Sequence, residues 1–200
     1  MGGERGIPMA NAAMLLVMDM INDLVHDDGP SRYKAELQRR QTLARTAALM
    51  ARARDGGVRI GFVRVGFSAD YRECPPNSRI FSGAREAGLF KLGTWGTEIH
   101  PALAPQQGDA DIVKHRVSPF YGTSLEPLLR ANDIRRLYLC GVSTIGVVAS
   151  GTREGHDRDY EIVVVDDCCC ASSQAEHDAG MATLKRFGKF EQSSDVAFAA

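Results

Sequence analysis

Short apolar runs alternate with longer amphipathic stretches along almost the whole chain, and this alternation constrains the fold more than any other feature. Apolar runs bounded by polar residues are typical of strands covered on both faces of a sheet. The predicted strands cover residues 13–18, 59–65, 111–113, 136–142 and 161–165. Helices are predicted over about 32–54, 123–131, 144–158 and 175–187, from composition and from the glycines that follow the first of them.

This order of elements predicts a three-layer α/β/α fold of the Rossmann-like type, with a doubly wound, mostly parallel sheet and helices on both faces. In such a sheet the ligand site lies beyond the carboxyl ends of the strands, where the strand order reverses. The less regular stretch 67–107 contains Pro75, Pro76 and Trp95. We interpret it as an excursion over the site, partly helical near 81–87.

Length and composition predict one domain over 12–200, preceded by a flexible N-terminus over 1–11. The net charge of -1 argues against a nucleic-acid partner. The apolar run 12–18 is far shorter than the ~20 residues that a membrane span needs, and the start of the chain does not resemble a signal peptide. The five cysteines form no C-x-x-C pair, and their odd number favours reduced thiols and a cytoplasmic protein.

Polar residues at three predicted strand ends are candidates for chemistry. Asp19 directly follows the first strand, where partial burial raises the pKa of a carboxyl and suits it to proton transfer. Lys114 follows the third strand and can balance that carboxylate or developing negative charge. After the fourth strand, 141–144 opens a helix whose backbone amides can bind an anion. Taken singly, each has a simpler interpretation: a turn residue, a surface lysine, and a helix cap at Thr144.

Together, these segments resemble the isochorismatase-like hydrolases, a family of the cysteine hydrolase superfamily, from Ala13 to Leu184. The opening 15–23 is similar to the family's Asp-Met-Gln-Asn-Asp motif, with Ile21 in place of Gln. The stretch 93–99 is similar to its glycine-rich segment and 113–120 to its lysine segment. The C-terminal half follows the family through 139–144, Arg153, 159–160, 163–165 and Asp167.

This chain differs from the thiol-dependent members of the family at the position of the nucleophile. In those members a cysteine stands six residues after the glycine of the Gly-Val-x-Thr turn, and counting from Gly141 gives Val147. A valine side chain cannot attack a carbonyl group. We interpret Cys140 as lying within the fourth strand and Cys168–Cys170 as following the fifth, and we expect these thiols to serve packing rather than catalysis.

For a member without the thiol, the resemblance implies enol-ether hydrolysis, in which the conserved aspartate protonates the vinyl carbon. We therefore predict Asp19 and Lys114 as catalytic residues and Val147 as the nucleophile-equivalent position. Substrate or oxyanion contacts are predicted at Ser143, Thr144, Gly146, Arg116 and Phe120, with Arg153 as a further anion contact or a surface residue. No metal or other cofactor is predicted, since 67–73 has no histidine where the nicotinamidases hold zinc. The family also implies a homodimer or homotetramer.

Three hypotheses for function remain open on the sequence. The first is a thiol-independent hydrolase acting on a small carboxylated molecule. The second is an amidase-type hydrolase with a displaced or unusual nucleophile. The third is a catalytically silent family member that serves as a binding protein, which the apolar residues Ile21 and Val147 favour.

Overall fold

A computed structural model describes residues 13–198, so the predicted flexible N-terminus lies outside the described residues. Six parallel strands form one sheet in this range, in the order β3-β2-β1-β4-β5-β6. The strands are β1 Ala13–Met18, β2 Arg59–Val65, β3 Ala110–Lys114, β4 Arg136–Val142, β5 Glu161–Cys170 and β6 Lys189–Glu191. The predicted class is confirmed, with every pair of neighbouring strands parallel. The short edge strand β6 was not predicted.

The strand order reverses between β1 and β4, and this reversal fixes where a site can form. From β1 the chain passes to β2 on one side, and later returns to place β4 on the other side of β1. The register pairs Met18 with Val63 of β2 and with Gly141 of β4. The residues that follow these three strands therefore meet at one carboxyl-terminal crevice.

Helices cover both sides of the sheet. The α3 helix contacts β2 and β5, and α6 contacts β4 and β5. The helices are α1 Asn22–Val25, α2 Lys34–Arg40, α3 Thr42–Asp55, α4 Ser82–Glu86, α5 Leu125–Ala131, α6 Ala149–Asp157 and α7 Gln174–Ala182. The single helix predicted over 32–54 is wrong, because Gln41 has a left-handed φ of 54° that separates α2 from α3. The helix predicted from 144 begins as a π-helical segment, Thr144–Val148.

Strand β5 continues past its predicted end at residue 165 and includes all three adjacent cysteines. Two aspartates, Asp166 and Asp167, directly follow the predicted end. Both carboxylates are compensated by arginines of the neighbouring helices, with Arg40 Nη2 3.0 Å from Asp166 Oδ1 and Arg45 Nη1 3.0 Å from Asp167 Oδ2. The placement of Cys168–Cys170 after the strand is therefore wrong, since they are buried within it.

The excursion predicted over 67–107 has an apolar core of its own. Phe67 packs edge-on against Phe81 at a ring-centroid distance of 5.4 Å, in a cluster that is separate from the main core around the sheet. The later part of the excursion is tied to its start, just after β2, because Phe67 N donates to Phe90 O at 2.8 Å and Leu92 N to Phe67 O at 2.9 Å. This cluster holds the excursion beside the crevice.

Candidate active site

Asp19 is held at the end of β1 by the backbone of β2. Its amide N donates to Val63 O at 2.7 Å, and its Oδ1 accepts from Val65 N at 2.8 Å. The residue is 5% exposed and has a left-handed φ of 56°, a conformation that aspartate tolerates better than most residues. The turn out of β1 therefore directs this carboxylate back toward the neighbouring strand.

Lys114, the last residue of β3, forms a buried ion pair with Asp19. Its Nζ lies 2.8 Å from Asp19 Oδ2 and donates a second hydrogen bond to Arg116 O at 3.1 Å. Lys114 is 2% exposed, and it is in register with Val65, which donates to the other carboxylate oxygen. Both oxygens of Asp19 are therefore hydrogen-bonded, and two separate strands fix the pair.

Burial raises the pKa of Asp19 above its ordinary value of 3.8. The charge and hydrogen bond of Lys114, and the hydrogen bond from Val65, oppose this rise without cancelling it. A low-dielectric setting disfavours the ionised carboxyl, whereas a nearby cation favours it. Asp19 is therefore placed to hold a proton at a higher pH than a surface aspartate and to release it next to an ammonium group.

The segment after β4 forms another wall of the crevice. Ser143, Gly146 and Val147 line the same cavity as Asp19 and Lys114, and Val147 is 2% exposed. The peptide bond between Val142 and Ser143 is cis. A Cβ at position 146 would lie 2.9 Å from Ser143 Oγ, so glycine leaves room for that hydroxyl.

The cavity has a volume of about 610 Å³, within the range of roughly 300–1,000 Å³ that is typical of small-molecule sites. Most of its wall is apolar, and the excursion contributes much of that wall. Among the excursion's lining residues are Arg79, Ile80, Phe81, Gly83, Ala84, Leu89 and Phe90. A molecule entering this space meets the Asp19–Lys114 pair on an otherwise largely apolar surface.

Three charged residues of the cavity wall were missed by the sequence prediction. Arg32 and Arg79 are exposed and line the cavity, whereas Asp23 is buried and accepts a hydrogen bond from Phe90 N at 2.7 Å. Asp23 belongs to the opening motif, which was its one sequence signal. The arginines lie on irregular segments whose position no periodicity reveals.

Other predicted contact residues lie away from the lining. Arg116 Nη1 donates to the backbone oxygens of Glu73 and His115, and Arg153 Nη2 donates to Thr183 Oγ1 at 2.9 Å. Phe120 is buried and stacks on Tyr160 with ring centroids 6.0 Å apart. Thr144 is buried behind the wall rather than on it. Among the predicted substrate contacts, Ser143 and Gly146 are those that line the cavity.

The cysteines of the described chain are all buried, and none of them lines this cavity. Burial raises the pKa of the Cys168 thiol to about 12 and that of Cys170 to about 11, and it raises those of Cys140 and Cys169 as well. Thiols of this kind carry little thiolate near neutral pH, and the thiolate is the nucleophilic form.

Metal-binding clusters and membrane-spanning helices are both absent from residues 13–198. Histidine, cysteine and acidic side chains do not gather there in any group of three or more that could hold a metal ion. No helix in that range has both the length and the apolar character to cross a membrane.

The parallel sheet with helices on both faces places this chain among the α/β proteins, and the buried Asp19–Lys114 pair lies at the edge of the sheet where such proteins bind ligands. Comparison with known proteins identifies the family. A family model described as Isochorismatase domain matches residues 13–195. The chain therefore belongs to the isochorismatase family and is a hydrolase of that family.

Individual relatives agree with this assignment. Ureidoacrylate amidohydrolase RutB from Methylorubrum extorquens is 31% identical over 214 residues, spanning 94% of this chain and 81% of that protein. An isochorismatase family protein from Desulfovibrio vulgaris has a structure with a TM-score of 0.81 at 25% identity, covering 92% of this chain and 95% of that one. The N-carbamoylsarcosine amidase structure from Thermoplasma acidophilum, at 24% identity and a TM-score of 0.75, covers 92% and 98% and supports the fold.

Proposed function

We propose that this protein is a thiol-independent hydrolase of a small carboxylated molecule, with Asp19 as general acid, and that its reaction is the hydrolysis of an enol ether. One observation carries the proposal: Val147, at the position where the resemblance places a cysteine in thiol members, lines the cavity that contains Asp19 and Lys114. A reaction that starts with proton transfer needs no nucleophilic side chain there.

In the proposed reaction, protonated Asp19 transfers its proton to the terminal carbon of the vinyl group. The carbon–carbon π electrons form the new C–H bond and leave an oxocarbenium ion. Water adds to this cation and loses a proton to the Asp19 carboxylate, and the resulting hemiketal breaks down to an alcohol and a ketone. The overall change consumes one water, and the acid is regenerated.

Lys114 has a distinct role in this proposal. When Asp19 gives up its proton, a carboxylate forms in a buried site, which is unfavourable without a counter-charge. The Lys114 ammonium, 2.8 Å from Asp19 Oδ2, stabilises that carboxylate without moving. It also fixes the orientation of the acid relative to the cavity.

The charges of the cavity favour an anionic substrate. Lys114 is paired with Asp19, and Asp23 accepts from a backbone amide. Arg32 Nη2 donates to Tyr33 Oη at 3.2 Å, while the exposed Arg79 has no side-chain partner within residues 13–198. Arg79 therefore remains available to bind a carboxylate, which a guanidinium can hold by two parallel hydrogen bonds.

Replacing Arg79 tests this substrate class. We expect Arg79→Gln to raise KM about tenfold for a carboxylated substrate and to change kcat little, because the lost contact is to a group that does not react. Steady-state kinetics at two ionic strengths provide the measurement. Arg85→Gln is the matched control, since Arg85 is an exposed arginine of the same excursion outside the cavity lining. Equal KM values for the two variants would contradict the assignment.

Amide hydrolysis is the second candidate, and the amidohydrolase name of the 31% identical relative favours it. That reaction requires a nucleophile, and Ser143 is a hydroxyl-bearing residue of the cavity wall. The two candidates differ in their pH dependence. Protonation by Asp19 becomes slower as the pH rises through the raised pKa of Asp19, whereas a reaction that needs a deprotonated serine or cysteine becomes faster.

A substrate panel distinguishes the hypotheses. Purified protein is incubated with isochorismate as the enol ether, with ureidoacrylate and with a simple amide, before and after iodoacetamide treatment. The proposal expects turnover of the enol ether at an unchanged rate after alkylation. Turnover of ureidoacrylate alone would support the amidohydrolase. Absence of turnover for enol ethers, amides and ureas would favour a silent binding protein.

Introducing a thiol at position 147 tests what this part of the wall faces. We expect Val147→Cys to be alkylated by iodoacetamide at least tenfold faster than any native cysteine, because a thiol at the cavity wall meets the reagent while the native thiols are buried. Burial also raises the pKa values of Cys140 and of Cys168–Cys170, which lowers their thiolate fraction. Mass spectrometry of peptides gives the rates. Val148→Cys is the control, since Val148 is fully buried and does not line the cavity. Equal labelling of the two variants would show that position 147 is not accessible from the cavity.

A further inference from the structure

A buried hydrogen bond lies directly behind the wall formed by the segment after β4. Thr144, the first residue of the π-helical segment, is completely buried, and its Oγ1 is hydrogen-bonded to His177 Nδ1 at 2.8 Å. The residues on either side of Thr144, Ser143 and Ile145, both line the cavity. A shift of Thr144 would therefore move the cavity wall.

His177 is itself fixed from the other side of its ring. Its Nε2 lies 3.1 Å from Arg40 Nη2 of α2 and 3.4 Å from Asp166 Oδ1 of β5. Arg40 is anchored in turn, donating to the backbone oxygens of Asp166 and Cys169. Hydrogen bonds from His177 and Arg40 hold the pKa of Asp166 below its ordinary value. The imidazole thus connects Thr144 to a rigid part of the sheet.

The packing of α7 gives a second, independent indication of this contact. A Cβ at Gly180, one turn after His177, would lie 2.8 Å from Ile145 Cγ2 and 3.2 Å from Thr144 Cγ2. Glycine at this position therefore allows α7 to approach the π-helical segment closely. The hydrogen bond from His177 and the close packing at Gly180 therefore act on the same two residues, Thr144 and Ile145, from the same helix.

We propose that His177 is a positioning residue, which holds the cavity wall at 143–147 in its working geometry through its hydrogen bond to Thr144. His177 contacts no substrate in this arrangement, because it is buried behind the wall. This inference rests on the proposed function only where it is tested by enzyme kinetics, because that test requires a substrate. Its structural readout requires no substrate.

Amide hydrogen exchange of residues 143–148 provides the structural readout. Thr144→Val removes the hydroxyl at nearly constant shape and leaves His177 Nδ1 without its partner, so we expect these amides to exchange about tenfold faster. Thr144→Ser restores the hydroxyl and should stay within about twofold of wild type. His177→Leu should exchange at least as fast as Thr144→Val, because it breaks the same hydrogen bond and also removes the contacts of Nε2 with Arg40 and Asp166. The double variant should exchange little faster than His177→Leu alone, since the bond between Thr144 and His177 is already lost there.

Thr42→Val is the matched control. Thr42 is also completely buried, but its Oγ1 has no hydrogen-bond partner within the described chain, and it lies on α3. This variant should leave exchange in 143–148 unchanged. Wild-type exchange in Thr144→Val, or equally fast exchange in Thr144→Ser, would overturn the proposal.

With isochorismate as the probe, we expect Thr144→Val to lower kcat about tenfold, to leave KM within about twofold and to be rescued by Thr144→Ser. An unchanged kcat together with faster exchange would reduce His177 to a purely structural role and contradict the positioning assignment. If the wild-type protein turns over no enol ether, the proposed function fails, while the exchange experiment still decides whether His177 holds this wall.

Discussion

Asp19→Asn should lower kcat/KM for an enol ether about 10³-fold, because an amide cannot donate the proton that starts the reaction and general acids contribute roughly 10²–10⁴ in rate. The substitution keeps the shape of the side chain, and its amide oxygen can still accept from Val65 N. Binding should therefore change less than turnover. Steady-state kinetics with isochorismate provide the measurement.

Asp111→Asn is the matched control for this loss. Asp111 is an aspartate of β3 that is exposed, lies outside the cavity lining and pairs with Arg64 at the surface. It should retain wild-type turnover. The pH profile gives a further check, since the wild-type rate should fall as the pH rises through the raised pKa of Asp19. Full turnover in Asp19→Asn would show that another group supplies the proton.

Lys114→Met should lower the free energy of unfolding by about 3–5 kcal/mol, because it removes one partner of a buried pair. For a chain of this size this corresponds to a fall in Tm of roughly 10 °C. Asp111→Asn, which breaks an exposed pair, should cost at most about 1 kcal/mol. Thermal and urea unfolding of the variants give the comparison.

The stability deficit of Lys114→Met should grow with pH. Without the ammonium group, burial raises the pKa of Asp19 further, so the folded state holds its proton where the unfolded state, with its ordinary value of 3.8, has lost it. The free energy of unfolding then falls as the pH rises from the unfolded value through the folded one. The double variant Asp19→Asn/Lys114→Met should recover most of the stability without the activity. A pH-independent deficit with no recovery would contradict pairing as the cause.

Most of the fold could be predicted from the alternation of apolar and amphipathic stretches and from the residues at the predicted strand ends. Five strands and the parallel arrangement follow from the alternation of apolar runs with amphipathic stretches. The carboxyl-edge position of Asp19 and Lys114 follows because each directly succeeds one of these apolar runs. The break between α2 and α3 was not predictable, since Gln41 is neither glycine nor proline. The length of β5 was hidden because Asp166 and Asp167 resemble a strand end until their arginine partners are known.

The site was predictable where regular elements position it, and less so elsewhere. Ser143 and Gly146 follow a strand in a turn with a family pattern, and both line the cavity. Arg32 and Arg79 lie on irregular segments, and only the packing of the excursion around Phe67 and Phe81 brings Arg79 to the cavity. Arg116 follows Lys114 closely in sequence, but its guanidinium is bound to backbone oxygens instead.

The hydrogen bond from Val65 N to Asp19 Oδ1 has a consequence for how this protein can change over generations. Because the donor belongs to the main chain, every amino acid except proline can supply it, so mutation of the codon for residue 65 seldom removes it. The hydrogen bond that positions Asp19 therefore does not depend on which side chains β2 carries. The excursion, whose side chains line the cavity, can diversify to accept new molecules while the proton-donating group keeps its place.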